Sequence, residues 1–174
     1  MLDDKHVFTE TTLDIAYSWL CKQRRNFPAN ADIWHLRFHW HRVRRELLQT
    51  LHKQDYTFLP LSVATNADGE THHLWSPQDA LVLKMLAIAL TNTLVLSTSC
   101  KHVKGHGGLK ATFNALHSAL PDYTYVMKTD VKGHYVSIDH TLLLKQLDKD
   151  IANPFIYRLL VQFIKRSIEK GLDE

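Results

Sequence analysis

The chain has 174 residues, 45% of them hydrophobic and 10% aromatic, and a formal net charge of +3 with 12 histidines uncounted. That length suits one domain, or a lobe with part of a second, and the apolar share supports a real core, which excludes a disordered chain. So small a basic excess neither demands nor rules out nucleic acid, so the placement of the charge has to decide.

In chain order, Thr9 or Thr11 caps a first helix with Leu13, Ala16, Tyr17 and Leu20 on one face. Pro28 and Asn30 interrupt it. A second helix is predicted over 31–53, with Ile33, Leu36, Trp40, Val43, Leu47 and Leu51 at helical spacing. Alternation over 55–64 predicts a strand, with Pro60 placing it at an edge or bulge. The turn signal Asn66-Ala67-Asp68-Gly69 then returns the chain as a second strand over 71–75. Ser76-Pro77 reads as a cap and first helical position for a helix reaching about Thr93. A Gly/Lys/His loop over 101–108 precedes a helix over 109–120, which Pro121-Asp122 ends. A strand is predicted over 123–130, and two helices follow, 139–151 and 153–170, with Gly171 as the final stop.

The polar, acidic start Met1-Leu2-Asp3-Asp4-Lys5 is unlike a signal peptide. The longest apolar stretch, 80–96, is broken by Lys84 and threonines and reads as a buried helix rather than a membrane span. A cytoplasmic protein without a membrane partner is the expectation. Cys21 and Cys100 have no zinc spacing and read as buried reduced thiols. His35 and His39 are four residues apart on one predicted helix, a spacing compatible with zinc but without an accompanying acid motif.

Charge concentrates over 22–53, where Lys22, Arg24, Arg25, Arg37, Arg42, Arg44, Arg45 and Lys53 stand against only Asp32 and Glu46. Cations at helical spacing neutralise phosphates, and Trp34, Phe38 and Trp40 between them offer flat surfaces to bases. A solvated face whose aromatics belong to the core fits the same pattern. Lys101, Lys104 and Lys110 surround Gly105, Gly107 and Gly108 before a helix, a setting that suits phosphate, although the spacing is not that of a P-loop. The candidate nucleic-acid contacts are therefore Arg42, Arg44, Arg45, Lys101, Lys104 and Lys110.

The most informative stretch is Tyr125-Val-Met-Lys-Thr-Asp130-Val-Lys-Gly-His-Tyr135-Val-Ser-Ile-Asp139. It resembles the first catalytic motif of reverse transcriptases, in particular the bacterial group II intron-like branch. Three further blocks stand in the same order as in that family: Tyr56-Thr-Phe-Leu-Pro-Leu, Leu74-Trp-Ser-Pro-Gln-Asp-Ala-Leu-Val-Leu-Lys, and Cys100-Lys-His-Val-Lys-Gly-His-Gly-Gly-Leu-Lys. The likeness runs from about Tyr56 to Gly171, and its specific part is the Asp-x-x-x-x-Tyr-x-Ser-Ile core. It implies an α+β fold, the mostly helical fingers and partial palm of a polymerase with a small β component. The segments would be N-terminal helices (1–54), a fingers-like region (55–122) and a partial palm with the first catalytic motif (123–174).

By that resemblance Asp130 would be catalytic and would bridge two Mg2+ ions, with the backbone carbonyl of Val131 completing one site. Tyr135 would lie under the incoming sugar and select deoxynucleotides. The partners implied are an RNA template and primer, with deoxynucleotides as substrates of the intact enzyme. Two departures stand out. No Asp-Asp pair follows Asp130, so the second acid motif is missing, as is the thumb. The hairpin reads Thr71-His-His-Leu-Trp, without the lysine or arginine that grips a triphosphate in many relatives. The expectation is a partial RNA-directed DNA polymerase, inactive as this chain and prone to self-association through exposed palm surface. A non-catalytic nucleic-acid-binding module and a helical protein-interaction domain are the alternatives.

Overall fold

The computed structural model of the chain describes residues 4–65, 68–94, 96–103, 105–135 and 137–166. The fold is mostly helical with one small antiparallel sheet, compatible with the α+β class. It divides into two compact units, residues 1–93 with 139–174, and residues 94–138. These boundaries do not coincide with those drawn at 54 and 122.

The larger unit begins with α1 (Asp4–Val7) and α2 (Glu10–Gln23). Thr9 Oγ1 accepts the Thr12 backbone N–H at 3.1 Å, which satisfies one of the free donors of the first turn. Leu13, Ala16 and Leu20 are buried from α2. The single helix expected over 31–53 is instead two, α3 (Asp32–Phe38) and α4 (Trp40–His52), separated by His39. The hydrophobic spacing continues through this break, so periodicity alone does not reveal it. The break coincides with tertiary contacts to α2: Trp40 stacks on Tyr17 at 3.8 Å, and Arg44 reaches Asp14.

The sheet pairs β1 (Ser62–Thr65) with β2 (Thr71–Leu74) in the register Ser62 opposite Leu74 and Thr65 opposite Thr71. The first strand starts later than its alternation predicts. Pro60 has no N–H, and the N–H groups of Phe58 and Leu59 are already spent on the side chains of Gln162 (3.0 Å) and Asp79 (3.3 Å). Ladder formation therefore has to wait until Ser62. After the hairpin, α5 (Pro77–Thr93) opens with the predicted Ser-Pro signal, Ser76 Oγ accepting the Asp79 N–H at 3.1 Å. The last helices, α7 (His140–Asp150) and α8 (Pro154–Ile164), are capped by Asp139 and Asn153. The stop expected at Gly171 lies outside the described residues.

The core of this unit joins Leu13 and Ala16 of α2, Leu47 and Leu51 of α4, Leu81 and Met85 of α5, and Phe155, Ile156 and Leu159 of α8. Phe8 and Phe155 meet at 5.7 Å, which carries the N-terminal segment onto α8. Asp79 is also within this core, fully buried. Its Oδ1 accepts the Tyr56 hydroxyl at 2.7 Å, and its Oδ2 accepts the Ser76 hydroxyl at 2.7 Å and the Leu59 N–H. Burial nevertheless outweighs these donors and raises the carboxyl above its ordinary value, while burial and the neighbouring carboxylate push the Tyr56 hydroxyl up as well.

The smaller unit contains α6 (Gly108–Ala119), which runs into a short 3-10 turn, Leu120–Asp122. Gly107 adopts φ +83°, and a Cβ there would lie 2.5 Å from Ala111 Cβ, so only glycine fits this entry to the helix. The strand expected over 123–130 is not formed: no helix or strand spans 123–131, and every residue of that stretch is exposed. A strand gains its hydrogen bonds from a neighbour, and the one ladder among the described residues, β1–β2, belongs to the other unit. Both cysteines are free and half-buried. No helix among the described residues is long and apolar enough to cross a membrane.

Replacing Asp79 by alanine strands the buried hydroxyl of Tyr56 and takes the acceptor from the part-buried Ser76 hydroxyl and Leu59 N–H. At about 1–3 kcal/mol for each buried group left without a partner, the expected loss is on the order of 3 kcal/mol, read as a lower urea midpoint. The pH dependence has a definite sign. The native carboxyl binds its proton more readily than the unfolded one, whose value is 3.8. Ionised Asp79 therefore lowers stability as pH rises from 3.8 through its raised native value. Asp79→Asn should remove that part of the slope, and an unchanged pH–stability profile in the variant contradicts the assignment.

Candidate functional site

The segment with the most specific sequence signal lies in the smaller unit. Asp130 is exposed and, among the described residues, has neither a hydrogen-bond nor an ion-pair partner. Val131 beside it is 63% exposed and Tyr135 85%. The turn that follows is closed from within. Gly133 takes φ +64°, and its carbonyl accepts both the backbone N–H and the hydroxyl of Ser137, each at 3.0 Å. The Ser137 hydroxyl also lies 3.2 Å from the His134 carbonyl, and the His134 and Tyr135 rings meet edge to face at 5.2 Å. The local sequence thus presents one carboxylate and one aromatic ring outward on either side of a tight turn. Asp139, just beyond, caps α7, its Oδ1 accepting the Thr141 and Leu142 N–H groups.

The cationic candidates are divided between the units. Arg42, Arg44 and Arg45 are on α4 in the larger unit, and Lys101 and Lys110 are in the smaller one. Lys104 lies outside the described residues. Arg44 is committed: its guanidinium forks onto Asp14 with two bonds of 2.9 Å and reaches Glu10 at 3.3 Å, tying α4 to α2. These hydrogen bonds hold the Asp14 carboxyl below its ordinary value. Arg42 is exposed and pairs with Glu46 at 3.8 Å, one helical turn on. Arg45 is exposed and has no ion pair among the described residues. Lys110 is exposed on α6, and Lys101 is half-buried.

Of the aromatics interleaved with these cations, Trp40 is used in packing on Tyr17, and Trp34 donates its indole N–H to the Pro28 carbonyl at 2.9 Å beneath Arg37. Only Phe38 stands clear, 85% exposed. The rings of His35 and His39 approach to 4.5 Å. His39 is held below the usual imidazole value by local desolvation and by the neighbouring His35 and Arg42. No group of three His, Cys, Asp or Glu side chains gathers among the described residues. On the hairpin, His72 and His73 are exposed, and His72 lies 3.9 Å from Glu70.

Two polar residues of consequence are not singled out by the sequence. Asp79 is one. The other is Arg24, which is buried, donates to the Trp75 carbonyl at 2.7 Å and contacts Asp32 at 3.4 Å. The Ser-Pro-Gln-Asp pattern marks Ser76 as a cap, but nothing local indicates that Tyr56 and Leu59 come to meet Asp79. Arg24 is hidden among other cations for the same reason.

Comparison with protein-family models gives no match, and comparison with curated proteins finds no significant relative.

The geometry separates the three arginines of α4 by role. On the expectation that the chain binds an RNA or template–primer duplex, Arg45→Gln should weaken that binding and reduce the magnitude of the log–log salt slope by about one unit. Arg44→Gln should act mainly on stability. The Asp14–Arg44 contribution is present above 3.8 and is lost as pH falls through the lowered native value of Asp14, so acid unfolding should begin at higher pH in Arg44→Gln. Equal loss of RNA binding in both variants, with unaltered acid unfolding, contradicts this division.

Proposed function

We propose that the chain is the fingers and first palm segment of a reverse transcriptase of the group II intron-like type, an RNA-directed DNA polymerase. The observation that carries the reading is the co-linear order of four sequence blocks ending in the Asp130–Tyr135–Ser137-Ile138 core. It is supported by the exposure of the Asp130 carboxylate, which forms no ion pair among the described residues, and by the outward-facing Tyr135 ring. A metal-binding acid has to be accessible and electrostatically unspent, and a sugar-sensing ring has to be open to the incoming nucleotide.

Magnesium fits these residues only in part. Two-metal phosphoryl transfer needs several hard oxygen ligands at a fixed separation. Asp130 supplies one, and no three-ligand group forms among the described residues. What the chain's own residues offer is a single carboxylate, a ring that limits the sugar, and cations able to hold phosphate.

A second reading, a protein-interaction domain, is favoured by one observation. Leu109, Phe113, Leu116 and Leu120 form an exposed apolar row along α6 and its continuation. Salt-dependent RNA binding separates the two readings, since an apolar interface has no such dependence.

The 174-residue chain is expected not to extend a primer on an RNA template at any magnesium concentration. Joined to a segment bearing a Tyr-x-Asp-Asp hairpin, it should incorporate deoxynucleotides. Asp130→Ala should then abolish incorporation, and Tyr135→Ala should admit ribonucleotides. Incorporation by the chain alone that disappears in Asp130→Ala contradicts the need for a second acid motif. Incorporation by the joined protein that survives Asp130→Ala contradicts the role of that carboxylate.

A further inference from the structure

At the C-terminal end of α8, within the larger unit, a cleft of about 280 Å3 has an aromatic wall and a cationic rim. The wall is formed by Phe58 and Trp75, which meet edge to face at 5.5 Å, and Trp75 is backed by Phe163 at 5.9 Å and 27°. Lys165 and Arg166 line the rim, both exposed and without an ion pair among the described residues. Pockets for drug-sized ligands occupy about 300–1,000 Å3, so this one is sized for a single flat ring system.

The walls are pinned in place. The Trp75 carbonyl is held by the buried Arg24 guanidinium, and the Phe58 N–H is held by Gln162 Oε1 at 3.0 Å. With its oxygen committed, the Gln162 side chain keeps its NH2 donors for an acceptor on a ring edge. A ligand therefore meets surfaces that need little ordering on binding, which preserves affinity.

From these features we infer that the cleft is a binding site for single-stranded nucleic acid, taking a base against Trp75 and the adjoining phosphates on Lys165 and Arg166. A nucleotide unit carries both complements, a π face and an anion, and stacking on an aromatic wall tolerates any base. The helix C-terminus at this point contributes about half a negative charge, which the two cations exceed, so the rim stays attractive to phosphate. The arrangement favours a strand over a free nucleotide because the polar row continues. Arg158, Gln162 and Arg166 follow at intervals of four residues. Arg158 is exposed, but its guanidinium donates to the Gln54 carbonyl and lies over the Phe155 ring, so its remaining N–H donors offer only a secondary contact at the far end. Within α8 the step from Arg158 to Gln162 is about 6 Å at about 1.5 Å per residue, and Lys165 and Arg166 follow just past the helix end, so the polar groups extend further than one phosphate occupies. This inference does not depend on the polymerase reading, because none of these residues belongs to the Asp130 motif.

The test is binding of a labelled ten-nucleotide RNA to the full chain, followed by anisotropy and by tryptophan fluorescence, with 5′-AMP as competitor. The 10-mer should bind saturably and quench tryptophan emission, and Trp75→Phe should remove most of the quench while Trp19, Trp34 and Trp40 remain. The surface double variant Lys165→Gln/Arg166→Gln should fold normally and bind about tenfold or more weakly. At about 0.7 unit per phosphate contact on a single strand, its salt slope should shrink by about 1.4. Wild-type affinity and slope in the double variant overturn the inference. So does 5′-AMP binding as tightly as the 10-mer, which would make the cleft a site for a free nucleotide. An unchanged quench in Trp75→Phe places the RNA elsewhere and also overturns it.

Discussion

A carboxylate buried among leucines is costly unless every lone pair it turns inward meets a donor. Asp79 meets that condition with Tyr56, Leu59 and Ser76, and the shape of the larger unit follows from it. Leu59 and Tyr56 belong to the segment that enters the hairpin, and Ser76 belongs to the segment that leaves it. Both ends of the β1–β2 excursion are thereby fixed to the first turn of α5. The same residues lie in two of the sequence blocks that resemble reverse transcriptases, 56–61 and 74–84. Their chemistry in this fold is that of a scaffold: they place the hairpin.

Three more polar contacts extend this fixation. Arg24 holds Trp75 by its carbonyl, Gln162 holds Phe58 by its N–H, and the ring of His52 meets the Phe8 carbonyl at 2.8 Å. Each joins a side chain to a backbone group far away in sequence, where regular structure leaves that group unpaired. Among the described residues no buried side-chain nitrogen or oxygen is left without a partner. Rigidity of this kind suits a unit whose aromatic wall at Phe58 and Trp75 is open to a ligand, because a pinned wall does not collapse into the core.

The sequence was most informative where a structural cause is local. Thr9, Ser76, Asp139 and Asn153 each cap a helix through an N–H two or three residues away; the first two are read as caps from the chain, and the last two coincide with the starts of helices expected there. It was least informative where the cause lies at long range. The run over 123–130 has the composition of a strand but, among the described residues, no partner to form a ladder. The 55–64 run loses its first residues as a strand because Asp79 and Gln162 take their N–H groups. The division of 31–53 at His39 coincides with contacts to α2 that no spacing within the helix encodes. Among the candidate site residues, Asp130 and Tyr135 are both exposed. Arg44, by contrast, has the spacing of a phosphate ligand and is already bound to Asp14 and Glu10, since a count of cations says nothing of carboxylates on another helix.

The central physical claim is that the Asp79 cluster ties the backbone at the entrance to the hairpin to the core, although the Leu59 side chain itself is exposed. Native-state amide hydrogen exchange measures this residue by residue. The account predicts that the Leu59 amide, and Phe58 with it, exchanges as slowly as the core amides of α5 and α8, through global unfolding alone. Exchange of Phe58 and Leu59 at the rate of an open loop, while α5 and α8 remain protected, would contradict it.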